Sequence, residues 1–340
     1  MSLVSNLFLL FVAASILIYY IVPRKSQWIV LLIFSYLYYI AGGPRYVVFI
    51  LFSTLVTWLM ALLIEKAEGK ENHKGARKLL ILGLILNFGM LGIVKYTNFA
   101  LENINALLHL NLRGIQLLLP LGISFYTFQS SGYLLDVYWK RCKAERHPLK
   151  YALFVSFFPQ ILQGPIGRYS RLADQLYAEH RFEGNNIIRG FERILWGFFK
   201  KMVLADRVNA AVLLIFHNYW NYGGWYNVLG VLLYSIQLYA DFSGGIDIVI
   251  GIAQMFGITM DENFRQPYFS RSISEFWRRW HITLGTWMKD YIFYPFSLSK
   301  SMAKFGKWSK KKFGNNVGKL LPVGLADILV FFVVGVWHGA

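Results

Sequence analysis

Charge is scarce in this chain, and acid is scarcest: only 16% of the 340 residues are charged, 18 Asp+Glu against 35 Lys+Arg. An ordinary soluble domain carries about a quarter, so an all-round solvated surface is excluded. Cysteine is almost absent. The single Cys142, in the basic loop Lys140-Arg141-Cys142-Lys143, excludes an internal disulfide framework and a multi-thiolate metal site. The signatures of several soluble enzyme classes are also missing. There is no Gly-x-Ser-x-Gly elbow, no His-Glu-x-x-His zinc helix, no Gly-x-x-x-x-Gly-Lys phosphate loop and no His followed five residues later by Asp. No internal repeat of about 20–50 residues is evident.

What fills the chain is apolar. Hydrophobic residues make up 56% and aromatics 18%, mean hydropathy is +0.42, and runs long enough to cross a bilayer recur along the whole length. The expectation is an all-α, polytopic integral membrane protein, organised as one membrane-embedded domain over residues 1–340. A formal charge of +17 would suggest nucleic acid in a soluble protein. Here the basic residues cluster between hydrophobic segments, where cytoplasmic retention of positive charge and attraction to anionic lipid heads explain them. The expected partner is the lipid bilayer, not nucleic acid.

Residues 3–22 form an apolar run that ends at Pro23-Arg24-Lys25. With no basic segment before it and no small-residue cleavage site after it, this reads as a spanning helix, not a removable signal. Further spans are predicted over 28–42, 45–64 and 79–100, with 101–114 as an external connector. The basic loop 65–78 and the Arg24-Lys25 turn then share the cytoplasmic side, and the N-terminus lies outside. Residues 117–138 are apolar but carry a polar row that includes Ser124, Gln129, Ser130 and Ser131. Such a row marks either a pathway or a packing interface. The basic loop 139–150 returns to the cytoplasm. Residues 151–167, interrupted by Pro159, Gly164 and Pro165, predict a re-entrant or tilted piece. A solvated connector over 168–185 and an amphipathic helix from about 186 follow, and this helix either spans or lies flat.

Within 225–260, Asp241 and Asp247 sit six apart in an apolar run, with Ser243, Gly244 and Gly245 between them. A carboxylate at that depth is neutral, paired or hydrated. Two readings stand: a functional site, or a structural cap at a broken helix paired with an arginine such as Arg278. From Asn263 to Tyr294 the chain is denser in chemistry than anywhere else. Ser272 and Glu275 form a capping box. From there Ile273, Trp277, Trp280, Leu284, Trp287, Met288 and Tyr291 fall on one face of a predicted helix, with Arg278, Arg279 and Lys289 on the other. His281 lies at the border, either lining a polar cavity or simply packed. Lys300 to Lys319 is strongly basic and expected in the cytoplasm, and the last apolar run carries Trp337-His338-Gly339 toward the outer half of the bilayer. A histidine beside tryptophan suits general-base work, since its unperturbed pKa lies near neutrality. It would take a proton from a hydroxyl attacking an activated acyl group. Without a suitable Ser or Cys nucleophile, direct transfer is more natural than an acyl-enzyme. A packing histidine fits the motif equally.

Taken together, Gly122-Ile-Ser-Phe-Tyr126, Gln163-Gly-Pro165, Tyr239-Ala-Asp-Phe-Ser-Gly244, Asn263-Phe-Arg-Gln-Pro-Tyr268, Glu275-Phe-Trp-Arg-Arg-Trp-His281, Trp287-x-x-Asp290-Tyr291 and Val336-Trp-His-Gly-Ala340 occur in this order. The set resembles the bacterial branch of the membrane-bound O-acyltransferase family nearly end to end. That branch includes alginate and peptidoglycan O-acetyltransferases and the D-alanyl transfer protein of teichoic acids. The resemblance implies a ring of transmembrane and re-entrant helices around a central tunnel in the bacterial cell membrane. It implies acyl transfer from a cytosolic thioester to an envelope hydroxyl, with acetyl-CoA or an acyl carrier protein as donor and no resident cofactor or metal. By motif match His338 is the essential histidine and His281 the tunnel-facing one. Gln129, Asp241, Ser243 and Asp247 are expected along the substrate path, as are Arg278, Trp280 and Trp337. Acetyl transfer to an exported polysaccharide or peptidoglycan is the favoured reading, with an extracytoplasmic hydrolase-like protein as partner. D-alanyl transfer is the alternative, and a transporter or a non-catalytic membrane scaffold stands as an alternative of another class. The chain stops two residues after His338 inside an apolar run, so a fragment of a longer protein is expected.

Overall fold

The computed structural model describes residues 2–115 and 119–339, without the side chain of Leu162. The start of the predicted 117–138 segment, Leu117 and Leu118, lies outside the described residues. Among those described there is no strand. The helices are α1 (Asn6–Ile21), α2 (Gln27–Gly42), α3 (Val47–Gly69), α4 (His73–Leu108), α5 (Ile123–Tyr138), α6 (Pro148–Ser156), α7 (Phe158–Gln163), α8 (Tyr169–Tyr177), α9 (Gly184–Phe198), α10 (Asp206–His217), α11 (Gly224–Met255), α12 (Ile273–Arg279), α13 (Ile282–Met288), α14 (Tyr294–Ser297) and α15 (Lys300–His338). Two stretches, Phe199–Ala205 and Lys289–Phe293, are π-helical. The polytopic all-α class follows directly, since α3, α4, α11 and α15 are long and apolar enough to cross a membrane.

The chain forms two compact units, one from Met1–Asn87 with Pro120–Asn263, the other from Phe88–Leu119 with Phe264–Ala340.

In the first unit, α9 and α11 pack backbone to backbone. A methyl added at Gly197 would lie 2.7 Å from the Gly244 carbonyl oxygen, and one at Gly190 2.6 Å from that of Gly251. Both glycine pairs are spaced by seven residues in opposite directions, so the two helices run antiparallel through a small-residue seam of the kind lipid-embedded helices use. α11 is one continuous helix, so Asp241 caps no break. Helical geometry is kept because neither glycine of the Gly244-Gly245 pair departs from it, and both are needed for close approach. A methyl on Gly245 would lie 2.3 Å from the side-chain oxygen of Gln163.

The polar row on α5 is packed inside. Ser130 lies 3.4 Å from the Ser53 hydroxyl and 3.5 Å from that of Tyr151. Ser53 donates to Asn87 at 2.6 Å, and Asn87 donates to Thr57 at 3.0 Å. Ser130 is satisfied within the apolar bundle in this way, whereas the Ser131 hydroxyl has no partner among the described residues. The predicted break over 151–167 is present as the turn between α6 and α7 and the loop after Gln163. Residues 168–185 depart from the expected solvated connector. They hold α8, whose Leu172, Ala173 and Leu176 are buried.

The basic loops of this unit converge at one end. The Ala144 amide donates to Glu65 at 3.0 Å, Lys140 pairs with Glu68 at 3.2 Å, and Arg146 pairs with Glu65. Trp28, next to the Arg24-Lys25 turn, meets the His147 ring at 5.5 Å. This is the arrangement that one-sided retention of positive charge requires.

In the second unit, α15 reverses direction at Gly314, whose backbone is left-handed (φ 77°). The Ser309 hydroxyl donates to the Gly318 carbonyl at 3.0 Å, and a methyl on Gly306 would lie 3.4 Å from Pro322. Residues nine and sixteen apart touch only if two arms lie side by side. The basic segment is therefore a helical hairpin, and only residues 315–338 are left to cross a bilayer. At 1.5 Å per residue they reach roughly 36 Å, enough for a hydrocarbon core of about 30 Å.

Candidate active site

The segment 273–291 is not the single amphipathic helix that its periodicity predicts. The Ser272 hydroxyl accepts from the Glu275 amide at 3.1 Å, as a capping box requires, while the Glu275 carboxylate accepts from the Arg271 amide at 2.8 Å. That amide and Arg279 hold the Glu275 carboxyl below its ordinary range. α12 then stops at Arg279, and His281 takes φ 44°, ψ 51° before α13 begins. Left-handed backbone is costly for a residue with a Cβ, although His is among the types more often found there. The break divides the predicted apolar face. Leu284, Trp287, Met288 and Tyr291 are buried, whereas Ile273 is 80% and Trp277 47% exposed.

The break also points His281 inward, where it is 6% exposed. Phe264 lies against its ring at 6.5 Å between centroids and meets Trp280 edge-on at 5.1 Å. Trp280 stacks on Phe276 at 5.6 Å, and Tyr268 closes on both. The motif before the helix is tied in by its backbone, the Arg265 amide donating to the Arg279 carbonyl at 2.9 Å. Trp277 carries the cluster to the last helix through Phe331, at 5.6 Å.

At the end of that helix Trp337 and His338 have ring centroids 4.3 Å apart. The two histidines, 57 positions apart in sequence, both lie in the second unit. Lys95 lies there too, and donates to the Trp337 carbonyl, while Tyr96 donates to that of Val336. Sequence reasoning passed over Lys95, although a lysine inside the apolar run 79–100 is a functional candidate by default. Arg278 is exposed in the same unit.

The remaining candidates lie in the first unit. Asp247 accepts from Arg193 at 2.9 Å and pairs with Lys200, whose ammonium also donates to Ser243 at 2.9 Å. Arg193 also holds Glu262 at 2.6 Å. Asp241 pairs with Lys201. The arginine counter-ion is Arg193, on Asp247, in place of the expected Arg278, and two consecutive lysines supply the other positive charges. The π-helical turn Phe199–Ala205 lets both reach α11. Gln129 is 3% exposed, with neither amide atom partnered among the described residues. No group of three or more His, Cys, Asp or Glu able to hold a metal occurs among the described residues.

The sequence pattern of the membrane-bound O-acyltransferase family matches residues 145–309. A probable alginate O-acetylase of Pseudomonas putida is 34% identical over 98% of this chain and 68% of its own length. The chain belongs to the membrane-bound O-acyltransferase family. A peptidoglycan O-acetyltransferase of Helicobacter pylori is 35% identical over 92% of this chain and 60% of its own length. A teichoic acid D-alanyltransferase of Bacillus subtilis is 33% identical over 64% and 53%. The chain spans about three-fifths of the length of these acyltransferase relatives. The family match takes in both the α9–α11 seam and the His281 segment.

Proposed function

We propose that this protein moves an acyl group, acetyl in the first instance, from a cytosolic thioester to a hydroxyl of an envelope polysaccharide or peptidoglycan, working in the bacterial inner membrane. Acetyl is favoured over D-alanyl because relatives named for acetylation match over 92–99% of this chain and a D-alanyltransferase over 64%. The observation that carries the reading is that one unit holds both motif histidines, His281 packed against Phe264 and His338 against Trp337.

In this reading His338 is the base. Its imidazole takes the proton of the acceptor hydroxyl as the oxygen attacks the thioester carbonyl. The tetrahedral intermediate collapses, the C–S bond breaks, and the thiolate leaves with the proton that the imidazolium returns. A positioned base contributes about 10²–10⁴-fold. His281 lines the donor's approach. The strained backbone at His281 is a reason to place function there, since such strain is kept where the surroundings hold it for use. The donor is acetyl-CoA or a carrier-protein thioester, and an extracytoplasmic hydrolase-like protein is the partner that passes the group on.

The test is acyl transfer by the full-length protein with purified donor and acceptor. His338→Ala abolishes transfer without loss of expression, and His338→Gln does not restore it, because an amide cannot accept the proton. Near-normal turnover by the Gln variant would remove His338 from the chemistry. A transporter would instead move substrate regardless of either histidine.

A further inference from the structure

Between Lys78 and Glu102 the only charged residue is Lys95. It sits on α4, in the part of that helix that belongs to the second unit. A lysine near the end of a span can snorkel, turning its ammonium out to the interface. Lys95 is turned onto α15 instead. Its ammonium donates to the Trp337 carbonyl, which belongs to the peptide unit joining Trp337 to His338. With the loop 65–78 in the cytoplasm, Lys95 lies 16 residues beyond Leu79, roughly 24 Å into a hydrocarbon core of about 30 Å. That is the outer half, to which α15 also carries His338.

What Lys95 lacks is a counter-ion. Among the described residues its contacts are the Trp337 carbonyl and the face of the Tyr96 ring, with 5.4 Å from ammonium to centroid. Both are neutral, and no carboxylate pairs with it. The lysines that reach α11 are matched, Lys200 by Asp247 and Lys201 by Asp241. Charge inside a span is costly, and a residue that keeps it is a functional candidate. An ammonium has three donors, of which the Trp337 carbonyl takes one.

Holding the two helices together does not need this charge. Tyr96, the next residue on α4, donates to the Val336 carbonyl and ties α4 to α15 one position earlier. A neutral donor already does what a purely structural lysine would do.

We propose that Lys95 is a catalytic residue of acyl transfer, its ammonium stabilising the oxyanion that forms when the acceptor hydroxyl attacks the thioester carbonyl. The assignment rests on the acyl-transfer reading and on His338 as its base. As the new C–O bond forms, the carbonyl π pair moves onto oxygen, where the spare N–H groups of Lys95 donate to it. On collapse the pair returns, the C–S bond breaks, and the thiolate takes the proton held by His338. Lys95 stays protonated throughout. A cation fixed in advance stabilises such a charge without reorganising as it develops.

The experiment measures kcat, KM and melting temperature of the full-length protein for Lys95→Met, Lys95→Gln, Lys95→Arg and Tyr96→Phe. Acetyl-CoA or an acetylated carrier protein is the donor, and alginate or peptidoglycan oligosaccharides are the acceptors. Lys95→Met and Lys95→Gln should lower kcat by about 10²-fold or more, the loss seen when one oxyanion donor is removed, with KM little changed. Lys95→Arg keeps the charge and should retain more turnover than Lys95→Gln. Tyr96→Phe should keep its kcat. Lys95→Met should melt no lower than wild type, since it takes an unmatched charge out of an apolar helix. Near-normal kcat in Lys95→Gln, whose amide can still donate to the Trp337 carbonyl, overturns the assignment. So does Lys95→Arg no better than Lys95→Gln, because charge is then not what matters. Tyr96→Phe falling as far as Lys95→Met, or Lys95→Met melting well below wild type, would reduce Lys95 to a strut between helices. If wild type transfers no acetyl group, or if transfer survives His338→Ala, the parent reading fails and Lys95 falls with it. A wild type that depends on His338 but is indifferent to Lys95 sinks Lys95 alone.

Discussion

The ring of Phe264 lies over the imidazole of His281, with centroids 6.5 Å apart and planes 23° from parallel, while the His281 backbone sits in left-handed space. Ring and backbone make separate demands on this position. His281→Asn keeps a residue that tolerates φ 44° and should melt close to wild type, whereas a β-branched His281→Val should cost about 1–2 kcal/mol in strain. Both should lose transfer if the imidazole acts. Asn with wild-type turnover would reduce His281 to a packing residue.

Gly197 and Gly244 leave no room for a side chain. Gly197→Ala should destabilise by about 1–3 kcal/mol through overpacking, read as a lower melting temperature in detergent. Gly223→Ala, at a glycine with open space around it, is the control and should be near neutral. Equal melting of the two variants would mean that the seam relaxes.

The pair Lys200–Asp247 is nearly dry, with side-chain exposures of 8% and 14%. Removing one partner strands the other, so Asp247→Asn should cost about 3–5 kcal/mol. Asp247→Asn combined with Lys200→Met should recover much of that loss. A double variant as unstable as the sum of the singles would show that the two charges are not coupled.

The three basic segments should share the cytoplasmic side. After Cys142 is replaced, Lys70→Cys, Lys143→Cys and Lys312→Cys should react with a membrane-impermeant maleimide only in opened cells, and His109→Cys should react in intact ones. Cys142 itself should be a poor target at neutral pH, because burial pushes its thiol up to about 12. External labelling at any of the three lysine positions would invert the orientation.

How much of this was legible in advance depended on the distance over which each signal acts. The spans at 45–64 and 79–100 were readable because hydropathy is a local sum, and the Ser272 cap because it involves residues three apart. The break at His281 was hidden. Apolar residues keep the helical period straight through it, and no glycine or proline marks the turn. The counter-ions of Asp241 and Asp247 lie forty or more positions away, on α9 and on a π-helical turn that no pattern announces. Lys95 was visible as a charge inside an apolar run, but its place beside His338 depends on a contact spanning some 240 residues. The Gly244-Gly245 pair reads as a possible break in sequence and turns out to be a contact surface within an unbroken helix.

The reversal at Gly314 bears on how the chain is made as well as how it is packed. Seven lysines and no acid lie between Lys300 and Lys319, folded into two short arms that close on each other through Ser309 and Gly318. A segment emerging from the ribosome in that form is held back by its charge, and the apolar stretch behind it must then enter the membrane from that side. By the positive-inside tendency the lysines of this hairpin favour insertion of the helix that carries His338 from the cytoplasmic side.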